Sequence, residues 1–182
     1  MSRVLLFFIL LFSFEGLVKA QCPNTVTDID GNIYDVIEIG GRCWTKQNLL
    51  VTHYSNGDTI PNVINDNDWF NTITTFSGSL CSYDNNLSYA STYGLLYNFY
   101  AVSDPRGLCP VGWYVPNRYP DFVDMLDSVE PGPLQTSPNT AAGYLKEQGT
   151  LHWVAPNVGA SDSYGFTALP SGIRSRFGIF SE

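Results

Sequence analysis

Short apolar, β-branched runs separated by glycine turns mark the first part of the chain. The run Ile33–Ile39 follows Asp30-Gly31, and Gly40-Gly41 separates it from the short run Arg42–Trp44. Asp-Gly and Gly-Gly dipeptides between β-prone runs are typical of tight hairpin turns, because glycine tolerates the positive φ that such turns need. Residues 26–44 are therefore predicted to form antiparallel hairpins.

Apolar residues at helical spacing predict three short helices farther along, at Tyr93–Val102, Tyr119–Val129 and Thr140–Gln148. Thr92 is the expected N-cap of the first helix, and Gly149 is the expected C-cap of the third. One apolar face of the second helix would be formed by Phe122, Met125, Leu126 and Val129. With many turns and few long helical patterns, the chain is predicted to be a loop-rich α+β domain.

The segment Gly107–Pro116, called the connector below, lies between the first two predicted helices. Val111, Trp113 and Val115 alternate along it, and alternation with a period of two is typical of an extended segment with one buried side. The connector is therefore predicted to be extended and buried. Trp113 is expected to pack in the interior, as is Trp44.

A calcium-binding loop is the alternative to a hairpin turn at residues 28–32. Side chains with oxygen atoms occur there at alternate positions, Asp28, Asp30 and Asn32. An EF-hand loop needs glycine at its sixth position and glutamate at its twelfth. Counted from Asp28, those positions hold Ile33 and Ile39. The spacing excludes an EF-hand loop and favours the hairpin turns.

The first twenty residues have the layout of an export signal. Arg3 supplies a positive charge, Val4–Phe14 is almost wholly apolar, and Ala20 offers a small residue for cleavage. The apolar run is too short to span a bilayer comfortably. We expect residues 1–20 to be removed, leaving a single domain over residues 21–182 that is secreted or held at the cell surface, without a membrane span in the mature chain.

Charge and cysteine content narrow the class of protein further. The chain carries a net charge of −8, which makes it a poor ligand for nucleic acid or anionic membranes. All four cysteines, Cys22, Cys43, Cys81 and Cys109, follow the predicted signal. In an oxidising compartment they are expected to form two disulfides, with three pairings possible. Their spacing does not suggest a zinc site.

Two other polar features have a structural and a chemical interpretation. The run 65–69, Asn-Asp-Asn-Asp-Trp, could offer oxygen ligands to a hard cation, or it could be a solvated turn with a helix N-cap before Trp69. The second interpretation is favoured. His53 and His152 are the only histidines, and both are expected to be structural. The sequence predicts no catalytic residue, metal site or cofactor.

Four segments occur in a fixed order: DIDGNIYDVIEIGGRCWTKQNL, YGLLYNFYAV, DPRGLCPVGWYVP and GFTALPSGIR. Together they resemble the Fibrobacter succinogenes major paralogous domain, a family of exported bacterial domains, over residues 26–174. That family is similar to the C-type-lectin-like superfamily, which includes the formylglycine-generating-enzyme fold. The resemblance implies an α+β fold of the C-type-lectin-like kind, with small twisted antiparallel sheets, two or three short helices and long loops.

The chain departs from the family pattern in two places. Residues 117–120, Asn-Arg-Tyr-Pro, replace the usual Thr-x-x-Glu capping box. Family members also continue past the final motif into an aromatic stretch and a cysteine-bearing strand, so the domain is expected to be incomplete at its C-terminus. An open strand edge and an unpaired cysteine, taken to be Cys109, would follow. No cysteine lies after Cys109, so the cysteine pair of formylglycine-generating enzymes is not inherited.

A loop rich in aromatic and amide groups is the predicted ligand site. Trp153, Asn157, Asp162 and Tyr164 lie in the segment 152–166, where ring stacking and amide hydrogen bonds could hold a glycan. The alternative is that Trp153 packs the core under a long loop. The expected function is an exported, surface-associated binding or structural module for an extracellular polymer or protein, such as a glycan or a cell-surface protein. The alternative function is an extracellular enzyme on a formylglycine-generating-enzyme-like or polysaccharide-active scaffold.

Overall fold

A three-stranded antiparallel sheet begins the fold. The computed structural model describes residues 21–130 and 140–181, so the predicted signal segment lies outside the described residues. Strands β1 (Thr25–Thr27), β2 (Ile33–Ile39) and β3 (Arg42–Thr45) are joined in the order β1-β2-β3. β1 and β2 are paired over all three residues of β1, and β2 and β3 over all four residues of β3. Both predicted hairpins are confirmed.

The Asp28 carboxylate organises the first hairpin turn from within. Its Oδ1 accepts the backbone N–H groups of Asp30 and Asn32 at 3.0 and 2.9 Å, and its Oδ2 accepts the Tyr34 hydroxyl at 2.6 Å. Gly31 completes the turn with a φ of 85°. The alternating polar residues that resemble a calcium loop are therefore the hydrogen-bonding groups of a turn.

The other elements of the described residues are short. They are α1 (Asp66–Thr75), β4 (Leu80–Cys81), two 3-10 turns (Tyr83–Asn85 and Leu87–Tyr89), α2 (Ala90–Tyr93), β5 (Leu96–Tyr97), α3 (Phe99–Val102), a π-helical turn at Arg118–Phe122 that leads into α4 (Val123–Val129), α5 (Ala141–Leu145), β6 (Ile173–Arg174) and β7 (Phe180–Ser181). β4 pairs with β5, and β6 pairs with β7, both antiparallel. The α+β prediction is confirmed at the level of small antiparallel sheets and short helices. No helix in the described parts of the chain is long and apolar enough to cross a membrane.

The predicted helix Tyr93–Val102 is wrong, because Gly94 interrupts it with a φ of 76°. α2 ends before this glycine, and the next residues form β5 on the edge of β4. The helix resumes as α3, where the Asn98 side chain accepts the backbone N–H of Ala101 at 2.9 Å. Asn98 is thus the N-cap, while the expected cap Thr92 lies inside α2.

The second predicted helix is confirmed in its C-terminal part, where Met125 and Val129 of α4 are buried. The third is shorter than predicted. α5 ends at Leu145, and Lys146 turns into an extended conformation that forms a parallel bridge with Ala168. This bridge takes the chain out of the helix before Gly149, which is therefore not its C-cap.

α1 is the longest helix among the described residues. Its N-cap is Asn65, whose side-chain oxygen accepts the N–H groups of Asn67 and Asp68 at 2.9 and 3.1 Å. The preferred interpretation of the run 65–69, a cap before Trp69, is confirmed. The sequence analysis nevertheless missed the ten-residue helix that this cap begins.

Two separate clusters of buried side chains form the interior. The first contains Val51, Tyr54, Ile60, Leu80, Ala101 and Leu108. The second contains Ile39, Met125, Val129, Ala141 and Leu145, with Trp44 packed against it. The first cluster is built from loops and short strands, and the second joins β2 to α4 and α5. The second cluster therefore fixes the sheet against the helices, which is the arrangement that positions the site described below.

The prediction of a buried connector is wrong. Leu108 and Pro110 are buried, but the chain then turns, with the Trp113 N–H bonded to the Pro110 carbonyl at 2.9 Å. Val111 projects into solvent with 97% of its surface exposed. Trp113 is only half-buried, as is Trp44. The two tryptophans expected in the interior therefore both reach the surface.

Arg174 fixes the β6–β7 hairpin to the rest of the protein. Its side chain is fully buried, and its guanidinium donates to the carbonyls of Val63, Ile64 and Gly178 and to the Asp66 carboxylate. The same group lies 4.5 Å from the ring centre of Trp69 and 4.9 Å from that of Phe180. One side chain therefore joins the hairpin, the loop before α1 and the first turn of α1.

We predict that Arg174→Ala lowers the free energy of unfolding by about 3 kcal/mol or more, because it removes a fully buried side chain and the charged donor of three carbonyls, two of them partly buried. Arg176→Ala is the matched control. Arg176 lies in the same hairpin, is exposed, and only stacks over Phe177, so we expect a change within about 0.5 kcal/mol. Chemical denaturation of the mature protein measures both values. Equal effects of the two substitutions would contradict this role of Arg174.

Candidate functional site

The predicted ligand loop directs its polar groups inward. The Trp153 indole N–H donates to the Ala168 carbonyl at 3.0 Å, and the Asn157 amide donates to the carbonyls of Glu147 and Gly149. The Asp162 carboxylate accepts the backbone N–H and the hydroxyl of Thr167 at 2.7 and 2.9 Å. These contacts fold the loop on itself. Asn157 Oδ1 has no hydrogen-bond partner among the described residues, but this atom is buried and therefore closed to a ligand at the surface.

Tyr164, the fourth predicted ligand residue, is anchored at one end. Its hydroxyl donates to the Val129 carbonyl at 3.4 Å, while 41% of its surface is exposed. The Trp153 ring is partly covered by the Lys146 ammonium group, 4.1 Å from the ring centre. None of the four predicted residues lines the cleft described next.

Both histidines are held by carboxylates. His53 Nδ1 lies 2.6 Å from Asp30 Oδ1, and the other Asp30 oxygen accepts the N–H and hydroxyl of Thr52. His152 Nδ1 lies 2.9 Å from both oxygens of Glu147, and its ring meets Tyr93 edge-on. These contacts join loops to neighbouring segments, which agrees with the structural role predicted for both residues.

An open cavity of about 430 Å³ lies between β3 and the connector. We call it the aromatic cleft. β3 contributes Arg42, Cys43, Trp44 and Thr45, the connector contributes Gly112, Trp113, Tyr114 and Pro116, and the remaining lining residues are Gln21, Pro23 and Asp121. The cleft exists because the connector turns outward at Pro110 instead of continuing into the core.

Three side chains form a polar wall at one side of the aromatic cleft. Arg42 Nη1 donates to the Asp121 carboxylate at 2.7 Å and to the Tyr114 hydroxyl at 3.1 Å, and the Tyr114 hydroxyl lies 3.1 Å from the same carboxylate oxygen. Arg42 Nη2 also reaches Asp124 at 3.4 Å. The guanidinium and the phenol are thereby fixed in place beside the aromatic rings.

Trp113 differs from the other tryptophans in its hydrogen bonding. The indole N–H groups of Trp44, Trp69 and Trp153 donate to the carbonyls of Ile39, Ser175 and Ala168 at 3.0–3.2 Å. Within residues 21–130 and 140–181, no protein group accepts the indole N–H of Trp113. Because Trp113 is half-buried and lines the cleft, its indole N–H can donate to solvent or to a ligand.

The disulfide Cys22–Cys43 borders the aromatic cleft. It fixes the residues beside Cys22 against β3, and these residues, Gln21 and Pro23, form part of the lining. Cys81 and Cys109 carry free thiols, so only one of the two expected disulfides forms. The Cys81 thiol is buried and interacts with the Arg174 guanidinium, while Cys109 lies in the connector.

Three titratable groups in and around the connector have shifted pKa values. The pKa of Asp121 is lowered, chiefly by the hydrogen bond from the Asn117 N–H and further by Tyr114 and Arg42. Burial raises the pKa of the Cys109 thiol to about 11 and also raises that of Cys81. An ionised, paired carboxylate is a poor general acid, and a protonated thiol is a poor nucleophile.

Sequence reasoning missed the aromatic cleft because alternation was taken as evidence of burial. Pro110 and Pro116 enclose the alternating residues, and Gly112 interrupts them. Prolines and a glycine within seven residues are typical of a turn, not of a buried strand. Pro110, Gly112 and Pro116 were therefore the sequence features from which the surface position of Trp113 could have been predicted.

Comparison with known proteins gives one match. The family model of the Fibrobacter succinogenes major domain matches residues 37–181. No curated protein and no solved structure matches the chain. The matched residues include β3, the connector and Asp121, which form most of the aromatic cleft.

We predict that the unreduced mature protein contains two titratable thiols per chain after denaturation, and four after reduction. Replacing Cys22 and Cys43 together by serine should lower the free energy of unfolding by about 3 kcal/mol, because the bond closes a loop of about 20 residues. A colorimetric thiol assay and chemical denaturation measure these values. A count of zero or four thiols before reduction would contradict the assignment.

Proposed function

Since the chain belongs to the Fibrobacter succinogenes major domain family, we propose that it is an exported, surface-associated module with a C-type-lectin-like fold that binds an extracellular glycan in the aromatic cleft. Binding, without catalysis, is the proposed activity. The cleft replaces the loop 152–166 as the proposed ligand site, because that loop directs its polar groups inward.

The unused indole N–H of Trp113 is the observation that carries this proposal. Sugar rings bind to proteins by stacking an apolar face on an aromatic side chain while fixed polar groups bond their hydroxyls. The aromatic cleft offers both, with Trp44 and Trp113 beside Arg42 and Tyr114. Arg42 uses three of its five N–H groups within the polar wall, so two donors remain for a ligand.

Export is proposed from two features. Residues 1–20 have the charged, apolar and small-residue regions of a cleavable signal. The disulfide Cys22–Cys43 forms directly after that signal, and such bonds persist in oxidising compartments.

The enzyme alternative is less well supported by the same groups. A glycoside hydrolase needs one carboxyl group with a raised pKa as its general acid and a second carboxylate across the substrate. Asp121 and Asp124 instead share the guanidinium of Arg42, and the pKa of Asp121 is lowered. Ligand binding, in contrast, requires no change in this pairing of Arg42 with the two carboxylates.

We predict that the mature protein binds one or more glycans on an array and that Trp113→Ala weakens this binding at least about 30-fold, the effect of losing an aromatic contact of about 2 kcal/mol. Trp113→Phe keeps a ring but removes the donor, so a loss of about fivefold is expected, equivalent to one hydrogen bond of about 1 kcal/mol. Isothermal titration calorimetry with the best array ligand measures both.

Trp153→Phe is the matched control. It removes the indole donor of a tryptophan that bonds within its own loop, so we expect unchanged glycan affinity. The proposal fails if no glycan binds the wild-type protein, or if Trp153→Phe reduces affinity while Trp113→Ala does not.

A further inference from the structure

A second open cavity adjoins the aromatic cleft across the connector. Its volume is about 590 Å³, and Gly112, Trp113, Tyr114 and Pro116 line both cavities. Because both cavities use this one stretch of chain, they meet along it. Gly112, Tyr114 and Pro116 are exposed, so this shared stretch is accessible to solvent, and we call it the ridge.

The second cavity repeats the aromatic character of the first. Phe99 contributes a ring with 74% of its surface exposed, and Val102 and Val111 add apolar surface beside it. Ser103 and the connector backbone also line this cavity, and the Ser103 hydroxyl, which donates to the Phe99 carbonyl at 2.8 Å, can still accept a hydrogen bond. A sugar ring could therefore stack on Phe99 as another stacks on Trp113, one on each side of the ridge.

The charges around both cavities disfavour an acidic ligand. The polar wall of the aromatic cleft sets one guanidinium, Arg42, against the two carboxylates Asp121 and Asp124. No charged residue lines the second cavity among the described residues. Since the whole chain also carries a net charge of −8, an acidic polysaccharide would meet repulsion at the wall and over the surface.

We infer that the ligand is an uncharged glycan chain that crosses the connector and occupies both cavities, so that it is bound along its length rather than at one end. This inference rests on the proposed function. It adds that Phe99 is a second stacking residue and that affinity increases with chain length.

The test is calorimetric titration with neutral di- to hexasaccharides of glucose, mannose and xylose, and with oligogalacturonates as the charged series. For the neutral series that binds, affinity should rise with length until both cavities are filled. Phe99→Ala should lower the affinity for the hexasaccharide about tenfold and leave that for the disaccharide unchanged. Trp113→Ala should weaken both. Oligogalacturonates should bind more weakly than neutral oligomers of equal length.

Phe76→Ala is the matched control, because Phe76 is also 74% exposed and also contacts the Tyr100 ring, but does not line the second cavity. It should leave every affinity unchanged. If disaccharide binding depends on Trp113 but affinity neither rises with length nor responds to Phe99→Ala, this inference is overturned and the proposed function stands. If oligogalacturonates bind best, the uncharged ligand is wrong. If no oligosaccharide of these series binds, this inference is overturned, and if no glycan on the array binds either, the proposed function falls with it.

Discussion

The contact between the Arg42 guanidinium and the Asp121 carboxylate, at 2.7 Å, is the interaction on which the rest of the account depends. Arg42 belongs to β3, and Asp121 belongs to the helical turn before α4. The pair therefore joins the sheet to the helices on the surface, above the buried cluster that joins them in the interior. Because Tyr114 bonds to both partners, the same contact also fixes the connector. The cleft is thus a consequence of how the sheet and the helices are joined.

A rigid binding site suits the proposed function, which is the recognition of a ligand without a chemical reaction. The disulfide Cys22–Cys43 holds the N-terminal wall of the cleft, and Trp44 is anchored by its bond to the Ile39 carbonyl. Binding then requires little ordering of the protein, which keeps the entropic cost of association low. Arg174 performs the corresponding structural task at the β6–β7 hairpin, where the indole N–H of the neighbouring Trp69 donates to the Ser175 carbonyl. Both arginines bond to a carboxylate and join separate segments. Arg174 is fully buried, whereas Arg42 stays partly exposed beside the aromatic cleft.

Local signals in the sequence predicted local structure well. Asp30-Gly31 and Gly40-Gly41 predicted the β1–β3 hairpins, and Asn65 marked a helix N-cap. The interruption at Gly94 was not predictable from periodicity alone, because Leu95, Leu96, Phe99 and Tyr100 fit a helix while β4 competes for the same backbone. The candidate site was missed for a related reason. Whether an alternating segment such as the connector is buried depends on what packs over it, and that is a tertiary property.

The indole N–H signals in a proton–nitrogen correlation spectrum of the mature protein, recorded during titration with a neutral hexasaccharide that binds, test the central claim most directly. The four tryptophans give separate reporters, and Trp69 and Trp153 serve as internal references because their donors bond to backbone carbonyls. We predict that ligand binding changes the chemical shift of the Trp113 signal most and that of the Trp44 signal less. A stationary Trp113 signal together with a large movement of the Trp153 signal would contradict it and return the site to the loop 152–166.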